Sequence, residues 1–105
     1  MKNINHIEFK NQTENDPNAV IIDCRTAMEW DEGIIEESVL DLFDSHGFMH
    51  EAEKLDKNKN YYVYCRSGVR SVTACQILES VGINNTFNLL GGIINWQGKI
   101  VAPKH

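Results

Sequence analysis

Cys65, Arg66, Ser67, Gly68, Val69, Arg70 and Ser71 stand in a row, and this stretch carries more reactive chemistry than any other in the 105-residue chain. A thiol beside two guanidiniums, two hydroxyls and a glycine could place a sulfur nucleophile where an oxyanion is bound. The residues before it, Tyr61 to Tyr64, are aromatic and β-branched as in a strand. Beyond it, Ala74, Ile77, Leu78 and Val81 recur at helical spacing, and Gly82 stands where a helix stops. The pattern predicts a strand, a tight loop opened by Cys65, and a helix.

Such a loop has definite physics. Successive backbone N–H groups, with Gly68 free to take positive φ, can curl around one point as an anion-binding nest. The helix that follows directs the positive end of its dipole at the same point. A free thiol of pKa about 8.5 is only slightly ionised at neutral pH, and lowering that value by ~2 units takes about 2.7 kcal/mol of differential stabilisation. Several N–H donors and two cations can supply it. An unreactive cysteine is usually a small buried apolar residue, and the arginines argue against that fate here. Of ten basic residues only Arg25, Arg66 and Arg70 are arginine, and two of these flank the cysteine. Arginine suits fork-like binding of an oxyanion.

The segment from Cys65 to Ser71 resembles the active-site loop of the rhodanese family of sulfurtransferases. Ile21-Ile22-Asp23-Cys24-Arg25 resembles the family's strand ending in Asp-x-Arg, and Glu29-Trp30 with Gly33-Ile34-Ile35 resembles its next segment. Asn88-Leu89-Leu90-Gly91-Gly92 with Trp96 resembles its closing Gly-Gly-x-x-x-Trp motif. Ile34 stands where the family usually has histidine and Ala27 where proline is frequent; neither touches the nucleophile. The resemblance implies a rhodanese-like α/β fold, with a central, mainly parallel sheet of five strands flanked by helices on both sides. It implies Cys65 as catalytic nucleophile, Arg66, Ser67, Gly68, Val69, Arg70 and Ser71 as substrate-binding, and Asp23 with Arg25 as a supporting pair at the rim.

The elements that must position these residues follow from the chain in order. Ile4 to Phe9 alternates apolar and polar and predicts a first strand. Asn11 to Asn18 reads as a short helix or turn ending near Pro17. Ala19 to Asp23 is a continuous apolar run suited to a strand buried on both faces. Thr26 to Glu29 has capping-box form, opening a short helix that Gly33 closes; Glu29 is read as that cap, and Asp31, Glu32, Glu36 and Glu37 as a solvated rim. Ser38 to Leu42 alternates as a strand, and Phe43 to Leu55 turns helical after Gly47, with His46 and His50 solvated. Asp56 to Asn60 is a turn. After the Cys65 loop and its helix, Asn85 to Leu90 is a last strand, and Ile93 to Trp96 begins a terminal helix. Alternating strands and helices mean an α/β sheet with its ligand beyond the carboxyl ends of the strands, where Cys65 and Asp23 to Arg25 all lie. Trp30 and Trp96 read as packing residues.

The chain reads as a single domain over residues 1–105, of ordinary globular composition, 42% hydrophobic and 24% charged. No apolar run approaches a membrane span and the N-terminus lacks an apolar signal core, so a cytoplasmic protein is expected. A net charge of −5 argues against nucleic acid or an anionic membrane as partner. Three cysteines make no disulfide framework. Cys75 reads as core. Cys24 reads as a half-buried strand residue, with a resolving thiol as the alternative. The cysteines and histidines show no zinc spacing, and neither metal nor cofactor is expected.

Three functions fit the loop. The first is sulfur transfer from a small anionic donor such as thiosulfate to cyanide or a thiol through a Cys65 persulfide, with a sulfur-relay protein as a further partner. The second is a cysteine phosphatase or arsenate reductase, against which stands the spacing: four residues separate Cys65 from Arg70 where the phosphatase signature needs five. The third is a non-catalytic relay or regulatory module.

Overall fold

The computed structural model describes residues 1–40 and 48–103. Four parallel strands form the central sheet in the order β1 (Lys2–Ile4), β5 (Thr86–Leu89), β4 (Asn60–Tyr64), β2 (Ala19–Asp23). Of the expected fifth strand the described residues show one parallel bridge, in which Val39 N–H donates to Ile21 O (2.7 Å) and Asp23 N–H to Val39 O (3.1 Å). Leu42 of that predicted strand, the segment before Phe48 and His46 lie outside the described residues. Two short strands, β3 (Ile34–Ile35) and β6 (Ile100–Val101), pair antiparallel as a separate ribbon.

Side-chain alternation along β4 divides the core. Tyr61, Val63 and Cys65 face one side with Ile22 and Cys24 of the neighbouring strand, under α3 (Phe48–Glu53) and α4 (Arg70–Ser80). Tyr62 and Tyr64 face the other side with Ile4, Leu89 and Phe9 of α1 (His6–Asn15). There Phe9 meets Tyr62 and Trp96 edge-on, both at 5.6 Å. Helices therefore cover both faces, as expected. The hydroxyl of Tyr64 takes the Ile35 N–H (3.1 Å) and donates to Asp23 Oδ2 (2.9 Å), fastening β3 to the sheet.

Two further expectations change. The first strand stops at Ile4, because the Asn5 side chain accepts the Glu8 N–H (2.9 Å) and caps α1, which then runs to Asn15. Ile4 and Phe9 bury in the same cluster from different elements, while Ile7 between them is 61% exposed. The terminal helix is a single 3₁₀ turn, Ile93–Asn95, after which Trp96 is extended and the chain leaves to pair with β3. Among the described residues no helix is long and apolar enough to cross a membrane.

Candidate active site

β4 ends at Tyr64, and Cys65 is the first residue beyond its carboxyl end. Cys65 is buried, and its Sγ accepts the Gly68 N–H at 3.1 Å and the Ser71 N–H at 3.4 Å. Gly68 has φ +97, which lets the loop curl back on the sulfur. No side chain caps α4: Val69 at the N-cap bonds none of the first-turn amides. The sulfur fills that place by taking the Ser71 N–H, so the helix terminus and the nucleophile satisfy each other.

Cys65 is held down to about 4. Hydrogen bonding from the Cys24 thiol is the largest cause, burial opposes it, and the Ser71 hydroxyl with the two backbone N–H groups adds to the lowering. The Cys24 proton has two acceptors, this sulfur and the Tyr64 carbonyl at 3.2 Å from Cys24 Sγ, and serves one at a time. Cys24 itself is pushed up by the same contact, then by burial and by the charge of Cys65. Ser71 Oγ lies 3.3 Å from Cys65 Sγ and also meets Asn88 Oδ1 on β5, so its one proton serves the sulfur or the amide oxygen at a time. Asn88 in turn donates to Asn3 Oδ1 (3.0 Å) on β1. Asn88 belongs to the closing motif of the sequence, but nothing in its local pattern marks this role.

The loop rests on the segment after β5. Ile93 N–H donates to Cys65 O (2.9 Å) and Ile94 N–H to Arg66 O (3.2 Å). Gly92, at φ +65, packs so closely that a Cβ there would collide with the Arg66 carbonyl. The remaining loop residues face outward: Arg66 and Ser67 are exposed, and Val69 is 73% exposed. Arg66 lines a cleft of about 220 Å³ with Arg25, Glu32, Gly33, Ile93, Ile94 and Ile100.

Arg70 begins α4 and reaches across to Glu29, giving Nη1 to Oε1 (2.7 Å) and Nη2 to Oε2 (2.8 Å). The predicted capping box at Thr26 is present, and Glu29 does more than cap. Asp23 and Arg25, expected at the rim, are core: the pair meets at 2.8 Å with side chains 0% and 3% exposed. Burial works against the Arg25 charge, and the Asp23 carboxylate outweighs it, leaving Arg25 raised. Arg25 also donates to Gly33 O (2.7 Å) and Glu29 O (3.2 Å), locking α2 (Ala27–Trp30) and the following turn in place. Ile34 is buried in the ribbon and packs as an apolar residue. Among the described residues no group of three or more His, Cys, Asp or Glu side chains could hold a metal ion.

Comparison with known proteins gives the same picture. Residues 6–99 match the model of the rhodanese-like domain. The Bacillus subtilis protein YtwF is 35% identical over 106 residues, spanning 100% of this chain and 98% of its own. A sulfurtransferase of Allochromatium vinosum is 34% identical over 88 residues, covering 81% of this chain and 80% of that protein. The crystal structure of a rhodanese-like domain protein from Staphylococcus aureus superposes with a TM-score of 0.80 at 29% identity, over 99% of this chain and 100% of the other. With the Cys65 loop, the parallel sheet and the closing glycines all in their places, the chain belongs to the rhodanese-like family.

Proposed function

We propose that the protein is a sulfurtransferase that carries sulfane sulfur on Cys65. The Cys65 thiolate attacks the outer sulfur of a small anionic donor such as thiosulfate. The donor S–S bond breaks, and sulfite leaves with the bonding pair. The persulfide then gives its terminal sulfur to a thiophilic acceptor, a cellular thiol or, in an assay, cyanide, completing a ping-pong cycle. One observation carries this reading: the Cys65 sulfur lies under the Gly68 and Ser71 N–H groups and is held down to about 4, so it is ionised at neutral pH.

In this reading Ser67, Gly68, Val69 and Ser71 supply the backbone N–H groups around the terminal sulfur. Arg66 and Arg70 bring positive charge to the donor and to the leaving sulfite. Asp23 and Arg25 support the loop from behind by fixing the end of β2. A protein thiol in a sulfur relay serves equally as acceptor, and three free cysteines suit a reducing compartment such as the cytoplasm. The four-residue spacing from Cys65 to Arg70 leaves a cradle sized for one sulfur atom and small for a tetrahedral phosphate or arsenate. Thiocyanate formation from thiosulfate and cyanide tests the proposal, with Cys65→Ser expected to abolish it. Turnover by Cys65→Ser at the wild-type rate, or hydrolysis of an aryl phosphate in place of sulfur transfer, overturns it.

A further inference from the structure

Cys24 and Cys65 stand one residue beyond the last pair of one parallel ladder. β2 and β4 lie side by side and parallel, Asp23 is paired with Tyr64, and Cys24 N–H donates to Tyr64 O at 3.0 Å. The next residues along, Cys24 and Cys65, project from the same face into the same cluster, each 1% exposed. Cys24 Sγ lies 3.2 Å from the Tyr64 carbonyl, the group bonded directly to the Cys65 nitrogen, so its sulfur is turned along the ladder toward the nucleophile. Adjacent strands run about 4.8 Å apart, inside the Cα separation of about 4.4–6.8 Å that a disulfide spans. Cys75, the other buried thiol of this cluster, sits on α4 and has no place on that ladder.

We infer that Cys24 is a resolving thiol, which converts the Cys65 persulfide into a Cys24–Cys65 disulfide and releases the transferred sulfur as hydrosulfide. The inference rests on the persulfide reading of Cys65 given above. The Cys24 sulfur attacks Cys65 Sγ, the bond from Cys65 Sγ to the outer sulfur breaks, and that sulfur leaves with the bonding pair. The Cys24 proton goes to the departing sulfur. One thiol and one persulfide anion thus become one disulfide and one HS⁻, with the sulfane sulfur reduced as the two cysteines are oxidised. No external oxidant enters. A dithiol reductant restores both thiols before the next cycle, which makes the overall activity a reductive release of sulfide from the donor.

The resting protein holds this step back. While Cys65 is a thiolate, its hydrogen bond with Cys24 keeps the Cys24 proton in place, and burial and the thiolate charge act in the same direction. Sulfur transfer moves that negative charge from Cys65 Sγ to the outer sulfur, one bond further from Cys24. The restraint falls when there is a sulfur to remove.

The test uses the full chain, reduced, freed of reductant and charged with thiosulfate, then followed by intact mass without reductant while sulfide is trapped. Wild type is expected to gain one sulfur and settle at the reduced mass less two hydrogens, with sulfide released. Cys24→Ser and Cys24→Ala, the second guarding against a polar misfit in the core, are expected to stay one sulfur heavier, with a persulfide lifetime at least about tenfold longer. A wild-type persulfide as long-lived as that of the variants, or a disulfide that maps to Cys75, overturns the role of Cys24. Sulfur gained by Cys65→Ser, or no sulfur gained by wild type from either thiosulfate or inorganic polysulfide, marks failure of the persulfide reading itself.

Discussion

Glu29 and Arg70 meet side-on, with the two nitrogens of one on the two oxygens of the other at 2.7 and 2.8 Å. The same carboxylate takes the Thr26 N–H at 3.2 Å, closing the capping box of α2. One side chain therefore caps the start of a helix on the β2 side of the site and holds the first residue of α4 on the other. Its carboxyl is held down to about 2, by the Arg70 hydrogen bond foremost, against the opposing effect of burial.

Because the folded value lies below the ordinary carboxylate range of about 4.3, the pair stabilises the fold above that range. The contribution is lost as pH falls from about 4.3 toward 2. Glu29→Gln keeps an acceptor for the cap and removes the charge. Arg70 is 39% exposed, so solvent screens the pair, and the expected loss is about 1 kcal/mol at pH 7. Urea denaturation of both proteins at pH 7 and near pH 2 checks this: the difference should close in acid.

Cys65 should react as a thiolate far into acid. With the folded value near 4, the rate of alkylation by iodoacetamide should stay level from pH 8 to 5 and halve near pH 4. Stability linked to this group follows the same sign. It is complete above the free thiol value of about 8.5 and is lost progressively as pH falls toward 4. A midpoint above pH 7 in the alkylation profile would contradict the hydrogen bonds described for the sulfur.

Asn88 sets the Ser71 hydroxyl beside that sulfur. Asn88→Asp replaces a neutral acceptor with an anion one hydroxyl away from the thiolate. The alkylation midpoint should rise by about 1–2 pH units, since a nearby like charge disfavours ionisation. The variant keeps the side-chain shape but loses the donor to Asn3 Oδ1, so a urea denaturation curve is recorded beside the alkylation profile to read the midpoint on folded protein.

Arg70→Ala removes a cation from the mouth of the loop and leaves the sulfur with its backbone donors. Under the proposed mechanism, thiosulfate use should fall more than acceptor use, about tenfold or more in kcat/KM for the donor. Unchanged thiosulfate kinetics would remove Arg70 from the mechanism.

Tyr64→Phe separates stability from chemistry. The lost hydroxyl leaves the Ile35 N–H without its acceptor and Asp23 without one of its donors, both buried. The expected cost is about 2 kcal/mol in urea denaturation. Because Tyr64 and Cys65 project from opposite faces of the sheet, the alkylation profile of Cys65 should keep its midpoint.

The parts of the fold legible in the sequence are those written locally. The apolar run to Asp23, the capping box at Thr26, the positive φ of Gly68 and the helix after Cys65 depend on residues a few positions apart, and all are present. The boundary at Asn5 was hidden because an alternating pattern and a capping side chain overlap there, and the cap prevails. The β3–β6 ribbon joins segments far apart in the chain, and two-residue strands carry no readable period. Within the site, the nucleophile and both arginines stood out by type. Glu29 on Arg70, Asn88 on Ser71 and Cys24 on Cys65 are contacts between elements, set by which strands become neighbours.

The supports of the Cys65 loop come from late in the chain: Asn88 orients Ser71, and residues 92–94 clasp the carbonyls of Cys65 and Arg66. A ribosome delivers these residues after the cysteine itself, at about 5–20 residues per second. A chain stalled before that strand therefore carries the nucleophile in a loop whose Cys65 and Arg66 carbonyls and Ser71 hydroxyl lack these partners.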